Sequence, residues 1–448
     1  MTTCSGDKLY KLYVKCVFGI EKYLHNELLS FGFPQNDMTI SHSSVSISNV
    51  SLKHAYFLSY FSRFAKQIYL QLATFTSHNS IDLLNSCRNV EWSNYLNPYV
   101  SFMVKSDISR GLDSFKSNNY TSLVVKDAIM DYFAHKYKLN VDLKNPDLTF
   151  LLTINSAKES SLYVDLVGTK LNNRIYRHQS FIQDIDSTLA NSLLDDSGYI
   201  DNSIISLEDY LNYFNHYPDI NNTKQLYDRL SEKFITNYRK NSMIDTSCSI
   251  GTITIEYAMI NSGISPGSFI RHFSSEIFNH NDLNALKTLI CYSNMIRQIK
   301  KLKQQDFSVF GCEKSWEKIN IAVHSANNAG VLRHIKFYQG SPLDTFQYIK
   351  DDITNPTFIC TLPLTGELRK EIRNGKPTHL KKYHHNMLNK LLNYIKLTYK
   401  NPKLLLLIPN CFKKKVIEEV INQKLEGGRT MYFSGIQWAC YNYNCNIK

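Results

Sequence analysis

Between residues 243 and 409, short apolar runs at 243–244, 307–311, 335–338, 357–360 and 404–409 alternate with helix-length stretches at 252–262, 283–304, 315–330 and 381–399. Few folds accommodate that rhythm. Strands separated by stretches long enough to cross back over a sheet predict an α/β, doubly wound parallel sheet of the Rossmann-like kind. Ligands of such sheets sit beyond the carboxyl ends of the strands, so the residues that follow each strand are the candidate site.

After the first strand comes Asp245-Thr246-Ser247-Cys248-Ser249-Ile250-Gly251-Thr252, a glycine-containing turn entering a helix. Backbone can approach a ligand closely there, and the helix dipole favours an anionic group, although the same residues also make an ordinary turn. The second strand ends at Glu313, whose carboxylate suits a ribose diol or, equally, the dipole of the following helix. Ser341 follows the third strand, where an acid or amide would read adenine; a hydroxyl reads it poorly, and a plain turn is the simpler account. The fourth strand exits through Leu362-Pro363-Leu364-Thr365-Gly366-Glu367. A proline-containing exit opposite the glycine turn is where a second substrate would enter, but it offers little acid, base or nucleophile.

The first part mixes strands and helices in α+β order. Strand-like runs at 11–17, 40–50, 68–74, 100–105, 148–155 and 161–167 accompany helical patterns at 20–29, from 52 onward, and at 123–137. Four segments are expected: an N-terminal ferredoxin-like α/β segment at 1–50, a second α+β domain at 51–175, a linker helix with a polar insertion at 176–240, and the doubly wound domain at 241–448. The Asn- and Tyr-rich stretch 195–240 shows one plausible helix, 223–238, and little that would pack.

Lys and Arg outnumber Asp and Glu by 51 to 39, a formal charge of +12. Such a field draws in polyanions, either nucleic acid or an acidic membrane surface. Basic clusters at Arg174, Arg177 and His178, at Lys376, Lys381 and Lys382, and at Lys413, Lys414 and Lys415 are candidate contacts, each also readable as a solvated face. Tyr383, His384 and His385 beside the second cluster could stack on bases. No apolar run approaches the roughly 20 residues that cross a bilayer, and no basic amphipathic helix favours a membrane surface. The start shows no secretory pattern, and ten cysteines lack any paired spacing. A cytoplasmic protein with reduced thiols and no metal site is expected.

Taken in order, these pieces resemble the large-subunit ribosomal RNA guanine-N2 methyltransferases, class I S-adenosylmethionine-dependent enzymes that carry a THUMP domain ahead of the catalytic domain. Val17-Phe18-Gly19-Ile20-Glu21 with Glu27-Leu28-Leu29 and Gly32 is similar to the family's opening helix, and Val125-Lys126-Asp127-Ala128-Ile129 to a helix of its THUMP region. Leu171, Arg174, Tyr176 and Arg177 match the domain junction. Asp245 to Thr252 falls on the cofactor loop, and Ile264-Ser265-Pro266-Gly267 with Arg271-His272-Phe273 on the most family-specific insertion. Gly311 and Glu313, then Ala329-Gly330-Val331, then Leu362 to Glu367, then Gly435-Ile436 and Cys440 follow in the family's order.

The resemblance implies S-adenosylmethionine as cofactor, with Asp245, Ser249, Gly251, Glu313 and Ser341 lining its site, Pro363 offering a backbone carbonyl to the guanine amine, and structured, ribosomal RNA as partner. The sequence also departs from the family. Ser249 and Ile250 replace a glycine and a serine, which predicts crowding where the methionine end lies. Leu362, Leu364 and Thr365 replace an asparagine, a proline and a tyrosine, and a leucine side chain accepts no hydrogen bond. Two functions stay open: guanine-N2 methylation of ribosomal RNA, or an inactive relative that binds structured RNA, for example in ribosome assembly.

Overall fold

The computed structural model describes residues 8–444 apart from 116, 178–183, 199, 201–204, 218, 238–241, 279–282, 304–307, 350–355, 363–365, 375–381, 400–401, 413 and 422–423. In chain order the first part holds β1 (Tyr10–Lys15), α1 (Glu21–Phe31), β2 (Met38–Ser41), β3 (Ser44–Val50), α2 (Leu52–Phe61), β4 (Gln67–Thr76), α3 (Ser80–Arg88), β5 (Ser101–Ile108), α4 (Asn118–Phe133), β6 (Asn140–Val141), β7 (Leu148–Ile154) and β8 (Glu159–Asp165). Then come α5 (Ser187–Asp196), α6 (Leu207–His216), α7 (Ile220–Asn237), β9 (Met243–Asp245), α8 (Thr252–Asn261), α9 (Leu283–Lys303), β10 (Val309–Glu313), α10 (Trp316–Asn328), β11 (Ile335–Gln339), α11 (Pro342–Ile349), β12 (Thr357–Thr361), α12 (Gly366–Arg373), α13 (Lys382–Thr398), β13 (Lys403–Pro409), α14 (Lys414–Ile421), β14 (Glu426–Phe433) and β15 (Ile436–Asn444).

The chain divides into two compact units, 1–171 with 207–217 and 266–292, and 172–206 with 218–265 and 293–448. The first is built on one eight-stranded sheet of order β2-β3-β1-β4-β8-β7-β5-β6, so strands from 1–50 and from 51–175 share a single sheet. Along β1 the even positions Leu12 and Val14 are fully buried, as a half-covered strand of period two requires. Residues 40–50, expected as one strand, instead belong to a hairpin whose turn places Ser43 at φ 53.

The stretch 195–240 packs better than its composition suggested. In α6, Leu207, Tyr210 and Tyr213 are buried, Tyr210 lies 5.6 Å from the ring of Phe57, and its hydroxyl donates to the Ala285 carbonyl at 3.0 Å. Tyrosine supplies apolar area while its hydroxyl still finds a partner, so a Tyr-rich segment that reads as polar can form a core.

The second unit is the doubly wound sheet, order β11-β10-β9-β12-β13-β15-β14. β11 to β13 run parallel, whereas β15 pairs antiparallel with β13 and β14 antiparallel with β15. The five strands expected from the alternation, β9 to β13, are the parallel ones, and β15 and β14 add an antiparallel pair at one side. From β9 the chain proceeds outward to β10 and β11, then returns to place β12 on the other side of β9. That reversal makes β9 and β12 the switch point where a crevice opens above the strand ends.

Candidate functional site

Asp245 ends β9 in register with Gly311 of β10 and Ile359 of β12, the centre of the switch point. It is 1% exposed. Its Oδ1 accepts from the Ser247 backbone N–H at 3.1 Å, while Oδ2 has no hydrogen-bond partner among the described residues. Burial, with Asp184 and Glu313 adding negative charge nearby, pushes its carboxyl up to about 7. A buried carboxylate with one oxygen unmatched is costly unless a donor or cation completes it.

The loop after Asp245 is stitched to both neighbouring strands. Thr246 N–H donates to the Ile359 carbonyl at 3.0 Å and Cys248 N–H to the Cys312 carbonyl at 2.9 Å. Gly251 sits at φ 80 immediately before α8, and a Cβ there would come within 3.1 Å of Ala322. Gly311 is tighter: a Cβ would stand 2.9 Å from Cys248 Sγ and from the Phe337 ring. Ser249 adopts φ 49, a left-handed conformation costing a residue with a Cβ roughly 1–2 kcal/mol. Ile250 is 1% exposed. Its side chain has almost no surface with which to crowd a cavity, and Ser247 and Ser249 are the partly exposed residues of the loop.

Glu313 closes β10 with Oε1 accepting from Ser315 N–H at 3.0 Å and Oε2 3.8 Å from Lys318 Nζ. A cavity of about 310 Å³ opens beside it at the strand ends, bounded by Thr246, Lys314, Ser341 and Thr361 and closed by α13 through Asn386 and Met387. The Ser341 hydroxyl donates to the Asp344 carboxylate. Asp245, Glu313, Ser341 and Gly251 therefore occupy the tips of adjacent strands, as their sequence positions predicted. The contribution of α13 was missed, because nothing in its sequence tells which of its faces meets the strand tips.

At the β12 exit, Leu362 is 3% exposed and packs into the apolar cluster of Phe358, Leu388, Leu392 and Ile408. Its N–H donates to the Leu407 carbonyl at 2.9 Å. Pro363, Leu364 and Thr365 lie outside the described residues, as do His178, Lys376, Lys381 and Lys413 and the side chains of Lys382, Tyr383, His384 and His385.

The RNA assignment of Arg174 is corrected. Its side chain is 2% exposed, and Nε lies 3.2 Å from Oε1 of Glu256, itself fully buried on α8. Tyr176 donates to the same oxygen at 2.6 Å and Asn191 Nδ2 to Oε2 at 2.8 Å. A guanidinium consumed in that network is unavailable to a phosphate. Arg177 is half-buried and donates to the Ile185 carbonyl at 2.9 Å. Among the described residues no cluster of acids, histidines and cysteines has the makings of a metal site, and no helix is long and apolar enough to cross a membrane.

Comparison with known proteins bears on the same elements. Residues 78–165 match the THUMP domain model and residues 225–363 the RMKL-like methyltransferase domain model. The ribosomal RNA large subunit methyltransferase K/L of Buchnera aphidicola subsp. Acyrthosiphon pisum (strain APS) is 29% identical over 331 residues, covering 73% of this chain and 41% of that protein. The protein of the same name from Syntrophotalea carbinolica (strain DSM 2380 / NBRC 103641 / GraBd1) is 23% identical over 368 residues, 82% of this chain and 46% of its own length. The chain thus spans less than half the length of these curated relatives. The predicted N6-adenine-specific DNA methylase from Listeria monocytogenes str. 4b F2365 superposes with a TM-score of 0.67 at 18% identity, covering 97% of this chain and 96% of its own. TrmN from Thermus thermophilus gives 0.60 at 14%, covering 97% and 98%. At these identities the structural likeness establishes the fold.

Proposed function

Because this chain belongs to the proteins that join a THUMP domain to an RMKL-like methyltransferase domain, we propose that it is an RNA methyltransferase that binds S-adenosylmethionine at the tips of β9, β10 and β11 and methylates guanine N2 in large-subunit ribosomal RNA. One observation carries the cofactor reading: the unmatched, buried Oδ2 of Asp245 at the switch point. The methionine ammonium supplies the missing cationic donor, Glu313 accepts from the ribose diol, and the left-handed Gly251 keeps the loop free of a Cβ. When bound, the cofactor supplies an electrophilic methyl group. The work left to the protein is positioning the guanine amine and accepting a hydrogen bond from it, the part assigned to the Pro363 carbonyl.

RNA binding rests on the THUMP match and the +12 charge, and the free thiols of the described cysteines are consistent with a cytoplasmic setting. A second reading has its own observation. Leu362 stands where the family carries an asparagine, and its side chain lies in the core, offering the amine nothing. On that reading the chain binds cofactor and RNA without transferring a methyl group.

Calorimetry with S-adenosylhomocysteine tests the cofactor site. Binding by the full chain, weakened at least tenfold by Asp245→Asn, is expected; absence of any binding sinks both readings of the strand tips.

A further inference from the structure

Resting on the cofactor reading above, we infer that Asn386 of α13 reads the adenine edge, in place of Ser341 after β11, whose hydroxyl reads it poorly. The cavity at the strand ends is lined by residues of α11 and α13. Pro342 and Leu343 at the start of α11 and Met387 and Leu391 on α13 supply its apolar walls. Asn386, Met387, Lys390 and Leu391 recur at the spacing that puts residues on one face of a helix, so α13 turns a single polar and apolar stripe toward the strand tips.

The polar inventory of the wall selects the base end of the ligand. Lys314 and Lys390 border the cavity, and among the described residues no carboxylate does. An ammonium or sulfonium is repelled there and belongs beside Asp245, whereas a neutral purine edge with ring-nitrogen acceptors is welcome. Reading adenine takes an acceptor for its N6 amine and a donor for an adjacent ring nitrogen. A primary amide presents both in one plane, which is why asparagine pairs with adenine. Ser341 has one hydroxyl, already given to Asp344 and also accepting from the Asp344 N–H at 3.3 Å. Asn386 is the one amide on the wall and has no hydrogen bond among the described residues.

The test is calorimetry on the full chain with two probes, S-adenosylhomocysteine and its analogue lacking the 6-amino group. The intact chain should prefer S-adenosylhomocysteine at least tenfold. Asn386→Ala should remove that preference by weakening S-adenosylhomocysteine at least tenfold more than the analogue, which loses only the ring-nitrogen contact, with the unfolding midpoint unchanged, since the site is exposed and alanine favours helix. A preference that survives Asn386→Ala, or one that disappears in Ser341→Ala instead, overturns the inference. If the intact chain binds neither probe, the cofactor reading fails and takes the inference with it.

Discussion

Arg174 and Glu256 form an ion pair in which both side chains are out of solvent, 2% and 0% exposed, and Tyr176 and Asn191 complete the carboxylate. The pair ties the segment after residue 171 to α8, the helix that begins directly behind Gly251. Such a pair adds little stability when intact but leaves an uncompensated charge when halved.

Glu256→Ala should therefore destabilise the second unit by about 3–5 kcal/mol, read as a lowered urea midpoint. Replacing both partners with apolar residues of similar size should cost much less than the sum of the two single changes. Equal and additive losses would show that the two side chains do not act as a pair.

Restoring the family's residue at Leu362 should damage the protein rather than repair it. Leu362 is a core residue, and Leu362→Asn exchanges packed apolar area for an amide with no partner, costing about 2–4 kcal/mol. The unfolding midpoint checks this. An unchanged midpoint would mean that position 362 faces the substrate cavity instead.

Asp245 sets a pH dependence with a definite sign. Its carboxyl is held at about 7 in the folded chain, above the ordinary range near 4, so the native state binds more protons than the unfolded one between those values. The stability it contributes is full below about pH 4 and is lost as pH rises through about 7. Asp245→Asn should flatten that slope and raise the unfolding midpoint at pH 8. A cationic ligand stabilises the charged form, so cofactor binding below pH 7 should release a proton, seen as a buffer-dependent heat.

RNA affinity should fall steeply with salt, and neutralising Lys376, Lys381 and Lys382 together should lower the slope of log affinity on log salt by about 2–3. Arg174→Met should leave that slope unchanged, because its guanidinium is spent on Glu256. A slope that drops with Arg174→Met would place this residue at the RNA after all.

These predictions separate what was legible in the sequence from what was not. The strand tips were legible because period and length mark β9 to β13, and a glycine turn or an acid stands directly after them. Asp245, Gly251, Glu313 and Ser341 therefore come to adjacent strand ends, as read. Arg174 was misread because charge carries no information about burial, and its partner lies 82 residues further on. Leu362 was read only as the replacement of the family's asparagine, because the motif position, not the packing, was visible. α6 was discounted because its apolar area is tyrosine, and the α13 face toward the cavity depends on a tertiary contact that no local pattern encodes.

Methyl transfer to ribosomal RNA separates an active enzyme from a relative that only binds. The direct measurement incubates the full chain with methyl-labelled S-adenosylmethionine and large-subunit RNA from a strain lacking the native modification, then digests the RNA to nucleosides. Label in N2-methylguanosine is the expected result. Unlabelled RNA from a chain that binds S-adenosylhomocysteine would contradict it and leave the binding-only reading.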